Sequence, residues 1–522
     1  MILSFCSLAV GLVYATITSA QNISSQDATE FALLYGYPLL AFQKLSVART
    51  QKAGINSIIH ARELSNATSR QVVKPNADTL YSNVIYDLSQ GDVAITIPEV
   101  PDDAFHLFSF YDPFGDNWAN VGTGNSAGAG DYHLRIRPAD SYGVELANET
   151  TGDTQNYINS PSLFGVLLIR WLVNATNLDT VHSYQDATKV KGVDRESMSL
   201  RGSSLNMVNW NLGNSTPAEH VLNLLAQLAS SNPPEITTDN ARVEANLAAA
   251  GITSGTYGST EADLSAANAS ALRTAAVDSR SSLTTLNNGW TMLQDNKTGD
   301  FGTNYGIRAA IASSGYLMLK APNAVYPSWS NASDEQSAIG GAANLNLGAD
   351  ESYLYTFSTK PPLHLAGFWS LTAYGADDFF IDNPQSVYAL GDRSNITFPS
   401  GMRVYGGAAG NNNTQDGMFQ ILVQPADVMP PANWTSNWLP GSSGGGNMSV
   451  LLRWYGAEES LLDGSYQYPI VTKQAAFRSS GDGMNGSSNE PAPFDGGANA
   501  GFGASVLTAV LSVATLGLAA FL

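Results

Sequence analysis

Two long stretches of this 522-residue sequence are written in short runs of β-forming residues, and a helical stretch separates them. In the first, residues 65 to 188, the segments Asp92–Pro98, Phe105–Tyr111 and Tyr132–Arg137 lie between Gly, Pro and Asp turns. Period-two alternation turns one strand face to a core, and the turn residues close each run. Phe164–Val173 is more continuously apolar, which fits a buried strand or a buried helix. In the second stretch, Tyr353–Ser358, Gly367–Tyr374, Met418–Gln424 and Ser449–Tyr455 repeat the pattern. Strands at this spacing predict sandwiches or jelly rolls. The expected fold is mainly β with a helical insert: two β-sandwich or jelly-roll-like domains joined by a helical region.

Helix signals are local and specific. Ser24-x-x-Asp27 is a capping pattern that predicts an amphipathic helix to about Gln43. Thr216-Pro217-Ala218-Glu219 places a cap, a proline at the first helical position and a glutamate at the third. Val221, Leu222, Leu225 and Leu228 follow at helical spacing, and Asn232-Pro233 ends the run. Thr260-x-x-Asp263 predicts the start of another, Ala-rich helix. This middle region, about residues 201 to 313, reads as a structural layer without chemistry.

The two ends of the chain are apolar. Met1–Ala20 carries no charge and closes on Thr18-Ser19-Ala20, the layout of a secretory signal peptide lacking a basic start. Val506–Leu522 is apolar and preceded by small residues, Gly496-Gly497-Ala498-Asn499. Small residues, a short spacer and an uncharged apolar tail make the signal for a glycosylphosphatidylinositol anchor, attached at Gly496, Gly497 or Asn499, with a C-terminal membrane helix as the alternative. The expectation is a protein on the extracellular face of the plasma membrane or in the wall, with the membrane reached through the lipid. Asn-x-Ser/Thr occurs at 13 positions, including Asn66, Asn148, Asn174, Asn214, Asn268, Asn331, Asn395, Asn433 and Asn447. Composition alone would give about 7 such sequons, so the excess fits a glycosylated chain.

The only cysteine, Cys6, falls inside the signal, so the exported chain has no disulfide and no thiol chemistry. Burial must supply its stability, and roughly 475 residues suffice for two or three cores. A net charge of −20 argues against nucleic acid as a partner. Charged residues make up only 13% of the chain, so Ser, Thr, Asn and Gly must cover the surface.

Two series of motifs resemble a known pair of domains. Lys74-Pro-Asn-Ala-Asp-Thr-Leu-Tyr-Ser82, Asp87–Gly91, Phe108–Asp112 and Gly130–Tyr132 resemble the domain of unknown function numbered 1254. Pro361-Pro362, Phe368–Thr372, Asp382-Asn383-Pro384, Gly391-Asp392-Arg393, Asn437–Pro440 and Arg453-Trp454-Tyr455 resemble its usual partner, numbered 1214. Tyr305–Ala309 and Ala324–Tyr326 match the lead-in to the second. The resemblance implies two β-rich, jelly-roll-like domains with a helical connection, and no reaction. With the ends read from their own residues, the expected organisation is a signal peptide at 1–20, an N-terminal domain at 24–195 and a helical connection at 196–345. A C-terminal domain at 346–475, a flexible stalk at 476–497 and a discarded tail at 498–522 complete it.

Two polar–aromatic clusters are the candidate sites. The first combines Asn76, Asp78 and Tyr81 with Tyr111, Asp112, Asn117 and Trp118. The second combines Trp369, Tyr374 and Asp378 with Asn383, Asp392, Arg393 and Trp438. Sugar hydroxyls pair with Asp, Asn and Arg, and sugar faces stack on Trp and Tyr. Two carboxylates across a cleft can also carry out glycosidic acid/base chemistry, and Asp78 and Asp112 are the candidates for it. The structural reading makes Pro-Asn-x-Asp-Thr a turn and Asp392-Arg393 a buried ion pair. Gly124-Asn-Ser126-Ala-Gly128 matches a nucleophile elbow, but that motif needs a helix after Ser126 and a strand is expected. The six histidines form no H-x-x-x-H pair, and no calcium-loop spacing surrounds Asp377, Asp378, Asp382 and Asn383, so no metal or cofactor is assigned. The leading expectation is a surface protein that binds or hydrolyses carbohydrate. A non-enzymatic wall or adhesion component comes second, and a serine esterase is the minor alternative.

Overall fold

Ser24 accepts the amide of Asp27 at 3.1 Å and opens α1 (Ser25–Gly36). The single helix expected to run to Gln43 is two helices. Pro38 has no N–H to continue the ladder, so the chain turns at Tyr37 and restarts as α2 (Pro38–Ala53) with proline at its first position. The computed structural model describes residues 23–70, 73–137, 141–148, 154–174, 176–195, 202–211, 213–321, 323–329, 343–406 and 417–479. The expected signal peptide, the anchor positions Gly496, Gly497 and Asn499, and the sequon at Asn331 lie outside these residues.

The first β unit contains β1 (Ile59–His60), β2 (Thr79–Asp87), β3 (Asp92–Ile97), β4 (His106–Tyr111), β5 (Asn117–Gly122) and β6 (Gly130–Ile136). It continues with β7 (Gly143–Glu145), β8 (Asn156–Ser160), β9 (Phe164–Leu172), α3 (Leu178–Ala187) and β10 (Lys189–Val193). One sheet has the order β1-β2-β9-β4-β5 and the other β10-β3-β6-β8-β7. Among the described residues of this unit, only β6 and β8 run parallel. Val84, Tyr86, Ile95, Phe108, Leu134 and Trp171 from both sheets form one core. The ambiguous run Phe164–Val173 is the central strand β9. It reads as continuously apolar because its second face is also covered, by helices.

Helices from the middle of the chain join α1 and α2 there. They are α4 (Pro217–Leu228), α5 (Asn240–Ala249), the small hairpin β11 (Ile252–Thr253) and β12 (Thr256–Tyr257), and α6 (Leu264–Ser281). After β13 (Leu283–Thr285) and β14 (Trp290–Leu293) comes α7 (Tyr305–Gly315), then β15 (Ala324–Val325) and β16 (Ser328–Trp329). Thr216 and Glu219 form the full capping box ahead of α4. The cap of α6 is Asp263, three residues after the expected Thr260, because its side chain accepts the Ala266 amide at 3.0 Å. Leu33 of α1, Phe42 of α2, Val221 of α4 and Ala271 of α6 share one core with Ile85, Leu107 and Val166 of the sheet.

The second β unit holds β17 (Ala343–Leu347), β18 (Glu351–Phe357), β19 (Leu363–Gly375), β20 (Ala389–Gly391), β21 (Phe419–Pro425), β22 (Trp438–Gly441), β23 (Gly446–Ala457), α8 (Glu459–Leu462) and β24 (Ile470–Ala475). Its sheets are β15-β23-β19-β20, with β17 also on β23, and β22-β21-β18-β24. Tyr355, Phe357, Trp369, Phe419, Leu452 and Trp454 fill its core. The molecule is therefore mainly β with a helical insert. No helix among the described residues is long and apolar enough to cross a membrane. The two β units meet where Phe105 packs edge-on against Phe368 at 4.9 Å and Tyr455 at 5.6 Å.

Candidate functional site

The meeting line of the two β units is polar as well as aromatic. The segment Lys74–Asp78, just before β2, lies across β19 and β23. Asn76 donates to the Tyr455 hydroxyl at 3.0 Å, and its own oxygen accepts the Asp78 amide at 2.6 Å. Tyr374 donates to the Pro75 carbonyl at 2.6 Å, and Arg453 donates to the Lys74 carbonyl at 3.0 Å. Asp78 accepts Arg393 at 2.6 Å on one oxygen and the Ser370 hydroxyl at 2.6 Å on the other. Arg393 also donates to Asp392 at 2.6 Å, and Asp392 accepts the Trp369 amide at 2.9 Å. Burial raises the Asp392 pKa against the opposing pull of Arg393. Burial also works against the Arg393 charge, but the two carboxylates outweigh it and hold its pKa above the ordinary value.

Part of each sequence cluster thus converges here: Asn76, Asp78 and Tyr81 from the first, and Tyr374, Asp392 and Arg393 from the second. Tyr111 of the first cluster reaches the same seam through Arg170, and the others go elsewhere. Asp112 accepts the amides of Phe114 and Asp116 at 2.9 Å each and closes a buried turn. Its pKa is well above the ordinary carboxylate value, through burial first and the neighbouring Asp116 second, with Arg308 opposing. Asn117 is fully buried and bonds the Phe110 carbonyl at 3.1 Å, while Trp118 sits in the first core. Trp369 and Trp438 are core residues of the second unit. Asn383 donates to the carbonyls of Ile381 and Val387 at 3.0 Å each and shapes a turn. Asp378 pairs with Lys74 at 3.6 Å, and Asp377 with Arg70, so the acidic turn around them is neutralised by cations of the chain itself. Ser126 is exposed between β5 and β6, and the strand rather than a helix follows it.

Asp78 and Asp112 therefore do not present two free carboxylates to one cleft. Both Asp78 oxygens accept internal donors, and one Asp112 oxygen accepts two backbone amides of its own turn.

Sequence reasoning passed over the most unusual groups at the seam, Arg170 of β9 and Arg453 of β23. Each is 4% exposed, and neither has a carboxylate partner among the described residues. Arg453 is well hydrogen-bonded, to Thr372 at 3.0 Å and Tyr374 at 2.7 Å. Arg170 is not. Its contacts to Ser109 at 3.3 Å, Tyr111 at 3.4 Å and the Leu317 carbonyl at 3.3 Å are all long, and its Nε has no partner. Tyr81, paired with Arg170 across β2 and β9, turns its ring towards the guanidinium at 5.8 Å. Tyr326 and Tyr455 lie in the field of both arginines. Burial lifts the Tyr111 pKa to about 12 and the Tyr455 pKa well above normal. These phenols are neutral at pH 7, so they offer dipoles and no counter-charge. Tyr326 also lines an apolar recess with Met292, Leu293, Met318 and Val325. The missed signal is visible in the runs Leu167-Leu-Ile-Arg-Trp171 and Leu451-Leu-Arg-Trp454, where a charge interrupts an apolar strand.

A second buried group joins the turn at Asp112 to the helical layer. Arg308 of α7 donates to Asp116 at 2.9 Å, and both side chains are 2% exposed. The Arg308 guanidinium lies 4.5 to 4.6 Å from the rings of Tyr35, Phe114 and Tyr305. The middle region, expected to carry no chemistry, thus contributes a fully buried charge.

Residues 55–192 match the family model described as protein of unknown function DUF1254, and residues 337–459 match that described as protein of unknown function DUF1214. The chain is a DUF1254–DUF1214 protein. The VPA0106 protein from Vibrio parahaemolyticus, a crystal structure, superposes with a TM-score of 0.55 at 16% identity, covering 86% of this chain and 99% of that one. That likeness establishes a shared fold for the DUF1254–DUF1214 chain and nothing about activity. An uncharacterised protein from Burkholderia cenocepacia aligns over 88% of this chain and 92% of its own at 11% identity, with a TM-score of 0.39 that carries no argument. No curated protein matches the chain.

Proposed function

We propose that this DUF1254–DUF1214 protein is exported, N-glycosylated and lipid-anchored at the cell surface, where it binds an acidic carbohydrate at the seam between its β units. The observation that carries the binding reading is Arg170. A buried guanidinium without a counter-charge costs several kcal/mol, and a ligand carboxylate would offset that cost. Tyr81 and Tyr326 keep partial exposure beside it, and their hydroxyls suit the hydroxyls of a sugar. Tyr326 borders the apolar recess and lies in the field of both arginines.

Binding is favoured over hydrolysis because Asp78, Asp112 and Asp392 all have internal partners. The surface reading draws support from the sequons. Asn66, Asn148, Asn174, Asn214, Asn395, Asn433 and Asn447 are exposed, and Asn268 is half-buried.

A glycan array carrying neutral and uronate-bearing oligosaccharides, probed with the purified exported chain, tests the proposal. Retention on uronate-bearing glycans alone is expected. Retention on no acidic glycan would overturn it and favour a second reading, a non-enzymatic wall component. The many hydrogen bonds that fasten the seam are what support that alternative.

A further inference from the structure

Asp116, Glu235 and Asp300 come from three separate segments. Asp116 precedes β5, Glu235 lies between α4 and α5, and Asp300 precedes α7. One carboxylate oxygen from each lies within 4.8 Å of the others. A cluster of acids alone would mean little, because proteins often tolerate one at the surface. Glu235 makes this one different. Both of its carboxylate oxygens are enclosed, and neither meets a hydrogen-bond donor. The Tyr142 phenol is near enough for each group to perturb the other, yet lies outside hydrogen-bond geometry.

The surrounding charges do not balance. Asp116 is paired with Arg308 at 2.9 Å and Asp300 with Lys320 at 2.7 Å. Asp112 repels Asp116 from the preceding turn. Two cations therefore face three clustered carboxylates and a fourth close by. Enclosed carboxylate oxygens without donors need a compensating partner, and a cation can supply one.

We propose that Asp116, Glu235 and Asp300 bind a divalent cation of the calcium type, which clips the segment before α5 and the turn before α7 onto the edge of the first β unit. The donor set is all oxygen, which selects a hard cation over zinc or copper. Asp300, with a side chain 31% exposed, keeps the site open to solvent for cation exchange and for the water ligands that calcium requires. The clip is independent of the carbohydrate reading, because none of its three ligands touches the arginine seam.

The test is a calcium titration by calorimetry on the full exported chain after chelation, with thermal unfolding read in parallel. One site is expected, with affinity in the ~0.1 to 1 mM range of extracellular modules. At a few mM calcium, Tm should rise by about 2 to 4 °C. Glu235→Gln keeps the shape, removes the charge and should abolish both the heat and the Tm shift. Asp300→Asn, at the half-exposed position, should weaken binding at least tenfold while leaving the fold intact. No heat and no calcium-dependent Tm shift in the unsubstituted chain would overturn the proposal. A Glu235→Gln chain that is more stable and still binds calcium would overturn it too, because Glu235 would then be a neutral acid outside any cation site.

Discussion

Replacing Asp78 tests whether the seam is one mechanical unit. In Asp78→Ala, Arg393 loses its 2.6 Å partner and keeps only Asp392, while the Ser370 hydroxyl loses its acceptor. The Asp78 side chain is 8% exposed and that of Arg393 16%, so water replaces little of what is lost. Breaking a buried pair costs about 3 to 5 kcal/mol when one charge is stranded. Because Asp392 remains, the low end applies, and about 3 kcal/mol is expected. Arg393→Met should cost a similar amount, since it strands two carboxylates but restores apolar contact with Phe368, whose ring lies 4.6 Å from the guanidinium. The double variant removes the pair without stranding Asp78. It should cost about 3 kcal/mol rather than 6, a coupling of about 2 to 3 kcal/mol. Urea unfolding followed by tryptophan fluorescence gives all four corners of the cycle. Additive losses, or an Asp78→Ala cost below about 0.5 kcal/mol, would refute the reasoning and make the contact a surface pair of the usual weak kind.

Three further outcomes are expected. Burial holds the pKa of His60, which shares a 2.7 Å hydrogen bond with Ser82, down to about 4. Its contribution is therefore full above pH 6.5 and lost as pH falls through 4. Discounted for its partial exposure it is about 1 kcal/mol, and His60→Gln should flatten the stability profile over that window. A Cβ on Gly165 would lie 2.1 Å from the Tyr86 hydroxyl and 2.2 Å from the Tyr111 carbonyl. Gly165→Ala should therefore cost about 3 kcal/mol in thermal or chemical unfolding, and a loss below about 1 kcal/mol would mean that the strand can move away. If the surface proposal holds, phosphatidylinositol-specific phospholipase should release the protein from intact cells and endoglycosidase should lower its mass. Retention on the cell after phospholipase treatment would point to a different attachment.

What was legible in the sequence was what neighbours in the chain decide. The capping box at Thr216 and the strands at Asp92, Tyr132 and Met418 depend on residues a few positions apart, and the structure has them. Local signals misled where a nearby competitor was stronger. Pro38 cuts a helix that periodicity carried on to Gln43, and Asp263 caps α6 in place of Thr260. The seam was legible only as two halves. Asp78 and Arg393 are 315 residues apart, and no spacing rule joins them. Arg308 and Glu235 read as ordinary members of a helical layer because the carboxylates they approach lie more than a hundred positions earlier, at Asp112 and Asp116. Motif resemblance pointed to the right strands, since Arg453-Trp454-Tyr455 belongs to the seam. It could not say that the arginine in that motif faces tyrosines and no carboxylate.

The measurement that tests the central proposal most directly is made on Arg170→Met, reading Tm and acidic-glycan affinity on the same sample. The substitution swaps a poorly paired buried charge for an apolar side chain of similar length. The account predicts unchanged or higher Tm, by up to about 1 to 2 kcal/mol of stability, together with loss of uronate binding by at least a hundredfold. A Tm that falls by several degrees with glycan binding intact would contradict it, and would make Arg170 a strut of the seam rather than the anchor of a ligand.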